Sequence, residues 1–304
     1  MMNTPPSVDV IIPTYNQADF LREALQSVVN QYYEHWNALV INNLSTDHTT
    51  SVLEEFRDPR ITAIDFDNGG VIAASRNIGI IRSTATYIAF LDSDDWWLPN
   101  KLLRCVERLE SGVDLVCHAE EWRSSSSTRR VAYGPESRAR YRELLLKGNC
   151  LSTSAAVGKT SMFQHVGGFS VDPAFITAED YDLWLRLAER QYQFAFLSET
   201  LGVFRLHSAS ASASVERNCR AEMSVVSHHL AQANITSWRI VRRRLAISHY
   251  SAGRAHHKGG NLGDAWSHFS RAIQCWPVSI RTYAGLALLL STTVARWIAR
   301  KVQP

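Results

Sequence analysis

Tyr87-Ile88-Ala89-Phe90-Leu91-Asp92-Ser93-Asp94-Asp95 is an apolar run that ends abruptly in three carboxylates. A short, continuous run of this kind reads as a strand buried on both faces. An extended backbone points alternate side chains the same way, which sets Asp92 and Asp94 on one side. Uncompensated, the two carboxylates would repel. A hard divalent cation resolves the conflict: magnesium or manganese takes one or two protein carboxylates and fills its other positions with phosphate oxygens and water. A pyrophosphate-bearing donor supplies those oxygens, and the cation then stabilises charge growing on the leaving diphosphate. Acidic residues also cap helices, and Asp95 ahead of Pro99 suits that plainer role as well.

Towards the N-terminus, β-rich runs alternate with helical ones. Val8 to Ile12 is followed by Ala18 to Asn30, Ala38 to Ile41 by Asp47 to Phe56, and Ile61 to Phe66 by Val71 to Arg82; a helix from Pro99 to Leu109 follows the acidic strand. This is the βαβ pattern of an α/β fold with a mostly parallel sheet covered by helices. Ligands in such sheets sit at the carboxyl ends of the strands. Three polar clusters fall there: Pro13-Thr14-Tyr15-Asn16, Asn42-Asn43-Leu44-Ser45-Thr46-Asp47 and Asp92-Ser93-Asp94-Asp95.

Towards the C-terminus the texture changes. Ser124-Ser125-Ser126-Ser127-Thr128-Arg129-Arg130 reads as a mobile loop between Leu115-Val116-Cys117 and a helix over Glu136 to Lys147, either a lid or surface slack. A Gly167-Gly168-Phe169 turn precedes a helix over Glu179 to Arg190 with Leu183, Trp184 and Leu187 on an apolar face, and a strand spans roughly Phe194 to Phe204. That helix opens on Ala178-Glu179-Asp180-Tyr181-Asp182. Acidic residues favour helix N-termini, so capping is one reading. The other is a general base: one carboxylate, low in pKa, close to an acceptor hydroxyl whose proton it removes. Asp180 is the candidate.

Taken in order, Val10-Ile11-Ile12-Pro13-Thr14-Tyr15-Asn16, the Asn42-to-Asp47 turn, Ala74-Ser75-Arg76-Asn77-Ile78-Gly79, Phe90 to Pro99 and Ala178 to Leu187 resemble family 2 glycosyltransferases of the Rossmann-like GT-A fold. The resemblance covers roughly residues 7 to 210. It implies an inverting transferase that uses a nucleotide-diphospho-sugar and a divalent metal, manganese or magnesium. Pro13, Thr14 and Tyr15 would line the nucleoside pocket with Asn42 and Asn43, Arg76 would face the base or diphosphate, and Asp92 with Ser93 would meet the ribose side of the donor. Asp94 would hold the metal with Asp92. Asp180 would be the general base, with Glu179 positioning acceptor or donor. Phe204-Arg205-Leu206-His207-Ser208 resembles the segment that closes this domain, where His207 either approaches the metal or is an ordinary surface histidine. Asn42 departs from the usual Asp, which leaves the base open among uracil, the first choice, thymine and guanine. The processive signature Gln-x-x-Arg-Trp does not follow the acceptor helix, so a single sugar is expected to move to an acceptor hydroxyl, in cell-surface polysaccharide or glycolipid synthesis.

Size and charge fit this reading. The 304 residues, 45% of them hydrophobic, suffice for a large core. The five cysteines, Cys105, Cys117, Cys150, Cys219 and Cys275, show no C-x-x-C pair and read as buried free thiols in a reducing compartment. Residues 215–304 hold 13 Lys and Arg against 3 Asp and Glu, or +10, and the net +3 leaves −7 for residues 1–214. The expected division is therefore a catalytic domain over 1–214 and a helical region over 215–304. Gly253, Ala265, Phe269, Ala272 and Pro277 have the spacing of one tetratricopeptide-like hairpin.

The apolar run Ala284 to Ala295 is short of the ~20 residues that cross a bilayer. With Arg296, Trp297, Arg300 and Lys301 beside it, the run suits a membrane interface or a buried helix. Arg242-Arg243-Arg244 suits anionic headgroups or a solvated face. A cytoplasmic location, with peripheral contact to the membrane face, is expected; nucleic acid is not an expected partner. Adjacent helical residues diverge by about 100°, so neither His228-His229 nor His256-His257 can chelate one ion side by side. Trp96, Trp97, Trp122 and Trp184 suit core packing or stacking on an acceptor sugar. A family member that binds a nucleotide-sugar or a partner without turnover is the competing reading, and the presence of both Asp94 and Asp180 argues against it.

Overall fold

The structure, a computed structural model, describes residues 5–207 and 214–302, with side chains through residue 294. Ser208 and the side chains of Arg296, Trp297, Arg300 and Lys301 lie outside the described residues. Contacts divide the chain into two units: 1–144 with 149–210, and 145–148 with 211–304.

In the first unit, β1 (Val8–Thr14), β2 (Trp36–Asn42), β3 (Ile61–Asp65) and β4 (Tyr87–Phe90) run parallel in the order β3-β2-β1-β4. They are joined by α1 (Ala18–Val29), α2 (Thr49–Glu55) and α3 (Ile72–Arg82). Every residue of β1 is buried, as a strand sandwiched between helical layers requires. Val8, Val10 and Ile12 pack with Leu21, Leu25 and Val28 of α1 and with Leu102, Cys105 and Leu109 of α4 (Lys101–Glu110) in one cluster. Full burial of a Val, Leu or Ile contributes about 1.5–3 kcal/mol. The one acidic residue in β1, Asp9, is tolerated there because Ser83 Oγ (2.7 Å) and Asn37 Nδ2 (3.2 Å) donate to it. Successive strands step from β1 out to β3, and the chain then returns to the other side of β1 for β4. The crevice beyond the carboxyl ends of β1 and β4 is therefore the topological switch point, where ligands of such sheets bind.

Beyond β4 the sheet is mixed, continuing β4-β8-β6-β9-β5 with β7 on β6. The added strands are β5 (Trp96–Trp97), β6 (Leu115–Arg123), β7 (Thr128–Val131), β8 (Ala156–Lys159) and β9 (Phe194–Arg205). Here β6 and β9 pair in parallel, and the β4–β8, β6–β8, β6–β7 and β5–β9 pairs are antiparallel. The serine-rich stretch is not a long loop. Ser124 N donates to Ser127 O (2.8 Å) and Ser124 Oγ accepts from Ser127 N (3.0 Å), closing a tight turn that pairs β7 with β6. The helix expected over 136–147 is two pieces, a 3₁₀ turn at Glu136–Arg138 and α5 (Tyr141–Lys147).

After β8 come α6 (Thr160–His165) and α7 (Glu179–Glu189), the latter buried nearly all round. The turn between them needs its glycine. Gly168 has φ 71°, and a Cβ there would lie 2.3 Å from Asn77 Oδ1. That amide grips the next residue, accepting from Phe169 N (2.7 Å) and donating to Phe169 O (2.8 Å), and so ties α3 to the approach to α7.

The second unit contains α8 (Val215–Gln232), α9 (Trp238–Lys258), α10 (Leu262–Cys275) and α11 (Ile280–Val302). Between α9 and α10, Gly253 faces the Phe269 ring, and Ala265 and Ala272 are buried. Arg244 departs from its expected surface role. It is 1% exposed, with Nε on Leu145 O (2.6 Å), one terminal nitrogen on Ser248 Oγ (2.7 Å) and the other on Glu222 Oε1 (2.6 Å). Only Arg242 and Arg243 of the triplet face solvent. No helix among the described residues is long and apolar enough to cross a membrane. The cysteines are free, but Cys150 and Cys275 are half-buried rather than buried.

Candidate active site

The rim starts at the ends of β1 and β2. Pro13 pairs with Ile41 and Thr14 with Asn42, so the two strands deliver their polar ends side by side. Thr14 is buried and Tyr15 is 54% exposed. Asn16, at φ 50°, locks one loop to the other: its Oδ1 accepts from Thr46 N (2.7 Å) and its backbone N–H donates to Ser45 Oγ (3.0 Å). Asp47 accepts from Ala18 N and Thr49 N, both at 3.0 Å, so one carboxylate serves the first turns of α1 and α2. Asn42 uses both ends of its amide, donating to Asp65 Oδ1 (2.7 Å) and accepting from Ser45 N (3.1 Å). An Asp at 42 would face Asp65 as a like charge; the Asn lets β3 contribute the carboxylate instead. Asn43 Oδ1 accepts from Asn68 N (2.9 Å).

Arg76, 4% exposed on α3, joins the two acidic clusters. One terminal nitrogen lies 2.6 Å from Asp92 Oδ1 and the other 3.0 Å from Glu179 Oε1, 103 residues along the chain. Burial alone would lower its pKa, but the Asp92 and Glu179 carboxylates outweigh that and hold it raised. Glu179 is fixed from its other side by Thr177 N (2.7 Å), whose residue sits at φ 84°. A β-branched residue at positive φ stores strain, about 1–3 kcal/mol, of the kind that collects at functional sites. Glu179 thus grips Arg76, while Asp180 beside it takes a different set of partners. Asp180 Oδ1 accepts from Tyr181 N (2.6 Å), and Oδ2 has Asn149 Nδ2 at 3.3 Å and Thr153 Oγ1 at 3.5 Å. Burial first, and then the Glu179 charge, push Asp180 up to about 6. The expectation of a low pKa is overturned: a carboxylate taken out of water beside another holds its proton more tightly.

On the other side of the rim the carboxylates crowd. Ser93 Oγ donates to Gln17 Oε1 (2.6 Å), and Asp92 N donates to Ser154 Oγ (3.2 Å). Burial, and then Asp92, raise Asp94; burial, and then Asp94, Glu120 and Asp92, raise Asp95 well above the usual range. β9 brings the closing segment onto this loop through its pairing with β5, Trp96 to Val203 and Trp97 to Gly202. Arg205 N donates to Asp95 Oδ1 and Arg205 Nε to Asp94 O, both 2.9 Å, and His207 Nε2 lies 2.8 Å from Asp94 Oδ2. Asp94, next in the acidic run to Asp92 and Asp95, thus offers a carboxylate oxygen beside the His207 imidazole. These are donor types that a hard divalent cation takes.

The sequence profile of Glycosyl transferase family 2 matches residues 9–167, more than half of the chain. The chain belongs to glycosyl transferase family 2. Among curated relatives of this glycosyltransferase, the putative teichuronic acid biosynthesis glycosyltransferase TuaG of Bacillus subtilis is 27% identical over 70% of this chain and 84% of its own. An Escherichia coli UDP-Glc:alpha-D-GlcNAc-diphosphoundecaprenol beta-1,3-glucosyltransferase, WfaP, is 23% identical over 73% and 88%. The fold is that of S. aureus TarS 1-349 in complex with UDP-GlcNAc, with TM-score 0.65 at 17% identity over 91% of this chain and 83% of that one. It is also that of the mannosyltransferase PcManGT from Pyrobaculum calidifontis in complex with GDP-Man and Mn2+, with TM-score 0.62 at 19% identity over 96% and 81%.

Sequence reasoning missed several groups around this glycosyltransferase's rim. Asp65, at an edge strand's end, carries no motif. Glu120, buried on β6, accepts from Tyr133 Oη (2.5 Å) and Ser152 Oγ (3.2 Å) and is pushed by burial up to about 7. Its signal, a Glu inside an apolar strand, was legible but pointed nowhere without the fold. Trp97 and Trp184 are core residues, and Trp97 Nε1 donates to Ser154 O (2.9 Å). Trp122 stacks on Phe204 with centroids 5.0 Å apart.

Proposed function

We propose that this family 2 enzyme transfers a single sugar, with inversion, from a UDP-sugar to an acceptor hydroxyl, using Asp180 as general base and a divalent cation at Asp94. The observation that carries the reading is the Arg76 bridge, which gathers the donor-side Asp92 and the acceptor-side Glu179–Asp180 pair at one rim. Pro13, Thr14, Tyr15, Asn42 and Asn43 would line the nucleoside pocket, with Asp65 supplying the carboxylate that Asn42 lacks. Asp92 and Ser93 would face the ribose. Asp94, Asp92 and His207 would hold manganese or magnesium, which supplies charge neutralisation for the departing diphosphate. Asp180, with a pKa near 6, is deprotonated at neutral pH yet basic enough to take the acceptor's proton as the alcohol attacks the anomeric carbon. Attack from the side opposite the diphosphate inverts the centre.

The relatives named for teichuronic acid and diphosphoundecaprenol-linked glycans support a cell-surface polysaccharide or glycolipid acceptor. A lipid-linked acceptor fits peripheral contact with the cytoplasmic membrane face through the +10 helical region, where Ile280, Tyr283, Leu290 and Val294 are exposed. The test is a panel of UDP-, dTDP- and GDP-sugars with manganese. Slow donor hydrolysis by the UDP members, abolished by chelation, is expected; binding of no nucleotide-sugar would overturn the reading.

A further inference from the structure

The helical unit contains a constellation that sugar transfer does not use. Glu216 on α8 sets one carboxylate oxygen 2.6 Å from His268 Nε2 of α10 and 3.3 Å from His256 Nε2 of α9. All three ligand atoms lie within 4.8 Å of one another, and the two imidazoles are buried at 6% and 2% exposure while Glu216 is half exposed. The residues are far apart in sequence. His256 belongs to a pair whose members diverge, with His257 Nε2 turned to Thr292 Oγ1 (3.0 Å), so the site is invisible to a search for adjacent histidines.

We propose that Glu216, His256 and His268 bind one zinc-class transition-metal ion, with a fourth position open to water. Three features support it. Two imidazole nitrogens and a carboxylate oxygen are an established zinc donor set with an open position, and bonds of about 2.0–2.1 Å in a tetrahedron separate neighbouring donors by roughly 3.3 Å. The His256 contact already has that spacing; the exposed Glu216 side chain supplies the small movement the His268 contact needs. The outer nitrogen of His268 is also placed as a metal-bound histidine requires, with a partner that orients the ring. His268 Nδ1 lies 3.2 Å from His249 Nδ1, and His256 Nδ1, buried and without a hydrogen-bond partner, lies 3.8 Å from Asp264 Oδ2. Finally, the ion has structural work to do. Ala265, Phe269 and Leu289 form a small buried cluster on α10 and α11, and a metal held by α8, α9 and α10 would pin three helices together.

Cys219 with His249 and His268 forms a second, overlapping set that uses the other face of His268. The test separates the two. The full chain, stripped with chelator, is titrated with zinc and with cobalt on an Asp94→Asn background, so that the cleft carboxylates do not report. One equivalent is expected to bind, with cobalt bands of a tetrahedral nitrogen and oxygen site. Glu216→Gln and His268→Gln should weaken zinc by more than the about 10–100-fold that an outer-shell change costs, while Cys219→Ser leaves it unchanged. Zinc should also raise Tm in the parent and not in Glu216→Gln, a surface change that leaves folding intact. Retention of zinc in both Glu216→Gln and His268→Gln, a thiolate-to-cobalt band lost in Cys219→Ser, or absence of stoichiometric binding would each overturn the assignment.

Discussion

Arg76 is where charge, burial and chemistry meet. With it removed, Glu179 at 8% side-chain exposure loses its cation. Breaking a buried pair in this way costs about 3–5 kcal/mol. Arg76→Met should therefore lower the urea midpoint as well as transfer, and an unchanged midpoint would show that the bridge is not structural. Asp180 works in the opposite sense. Its folded pKa near 6 stands above the ordinary 3.8, so its contribution to stability is present in full only below about pH 4 and is lost as pH rises through 6. Asp180→Asn removes that penalty and should stabilise the fold at pH 7.5 by roughly 1–3 kcal/mol, and by little at pH 4. Thermal melts at the two pH values check this. Transfer by the parent should fall on an acid limb near pH 6 as the base takes up its proton. At this scale the sequence exposed each carboxylate that sits in a motif. It could not expose Asp65, Glu120 or the direction of the Asp180 shift, because those depend on neighbours brought in by other strands.

The elements of the first 110 residues were legible because period and punctuation agree: buried runs such as Val8 to Ile12 alternate with the i, i+3, i+4, i+7 pattern of Leu102, Cys105, Val106 and Leu109. The second half was harder. β5 is two residues long and β8 four, too short for a period to show, and their antiparallel pairings are set by chain return rather than by composition. The serine run reads as slack by composition, yet side-chain to backbone bonds from Ser124 turn it into a hairpin. Gly168 shows how an element is held by one contact. Gly168→Ala combines a positive φ with a Cβ at 2.3 Å from the Asn77 amide oxygen, so it should destabilise by more than the about 1 kcal/mol of a strain-free glycine change. Urea denaturation measures that cost, and a loss below that level would show that the turn relaxes freely.

Across the whole chain, charge is divided as the sequence indicates, −7 in residues 1–214 and +10 in the remainder. What composition could not reveal is how that positive charge is placed: Arg244 is consumed internally by Leu145, Ser248 and Glu222, while Arg242, which also donates to Gln274 O, and Arg243 are exposed. Each such basic residue near an anionic membrane is worth about 1 kcal/mol. Arg242→Glu with Arg243→Glu should abolish sedimentation with vesicles containing anionic lipid at low salt, and equal sedimentation of parent and variant would remove this surface from the account. The central claim is a division of labour between cation-holding and proton-accepting carboxylates. Its most direct test is to measure manganese-dependent UDP-sugar binding and sugar transfer in Asp94→Asn and Asp180→Asn side by side. The account predicts that Asp94→Asn loses both, while Asp180→Asn keeps binding and loses transfer by orders of magnitude; transfer at the parent rate in Asp180→Asn would contradict it.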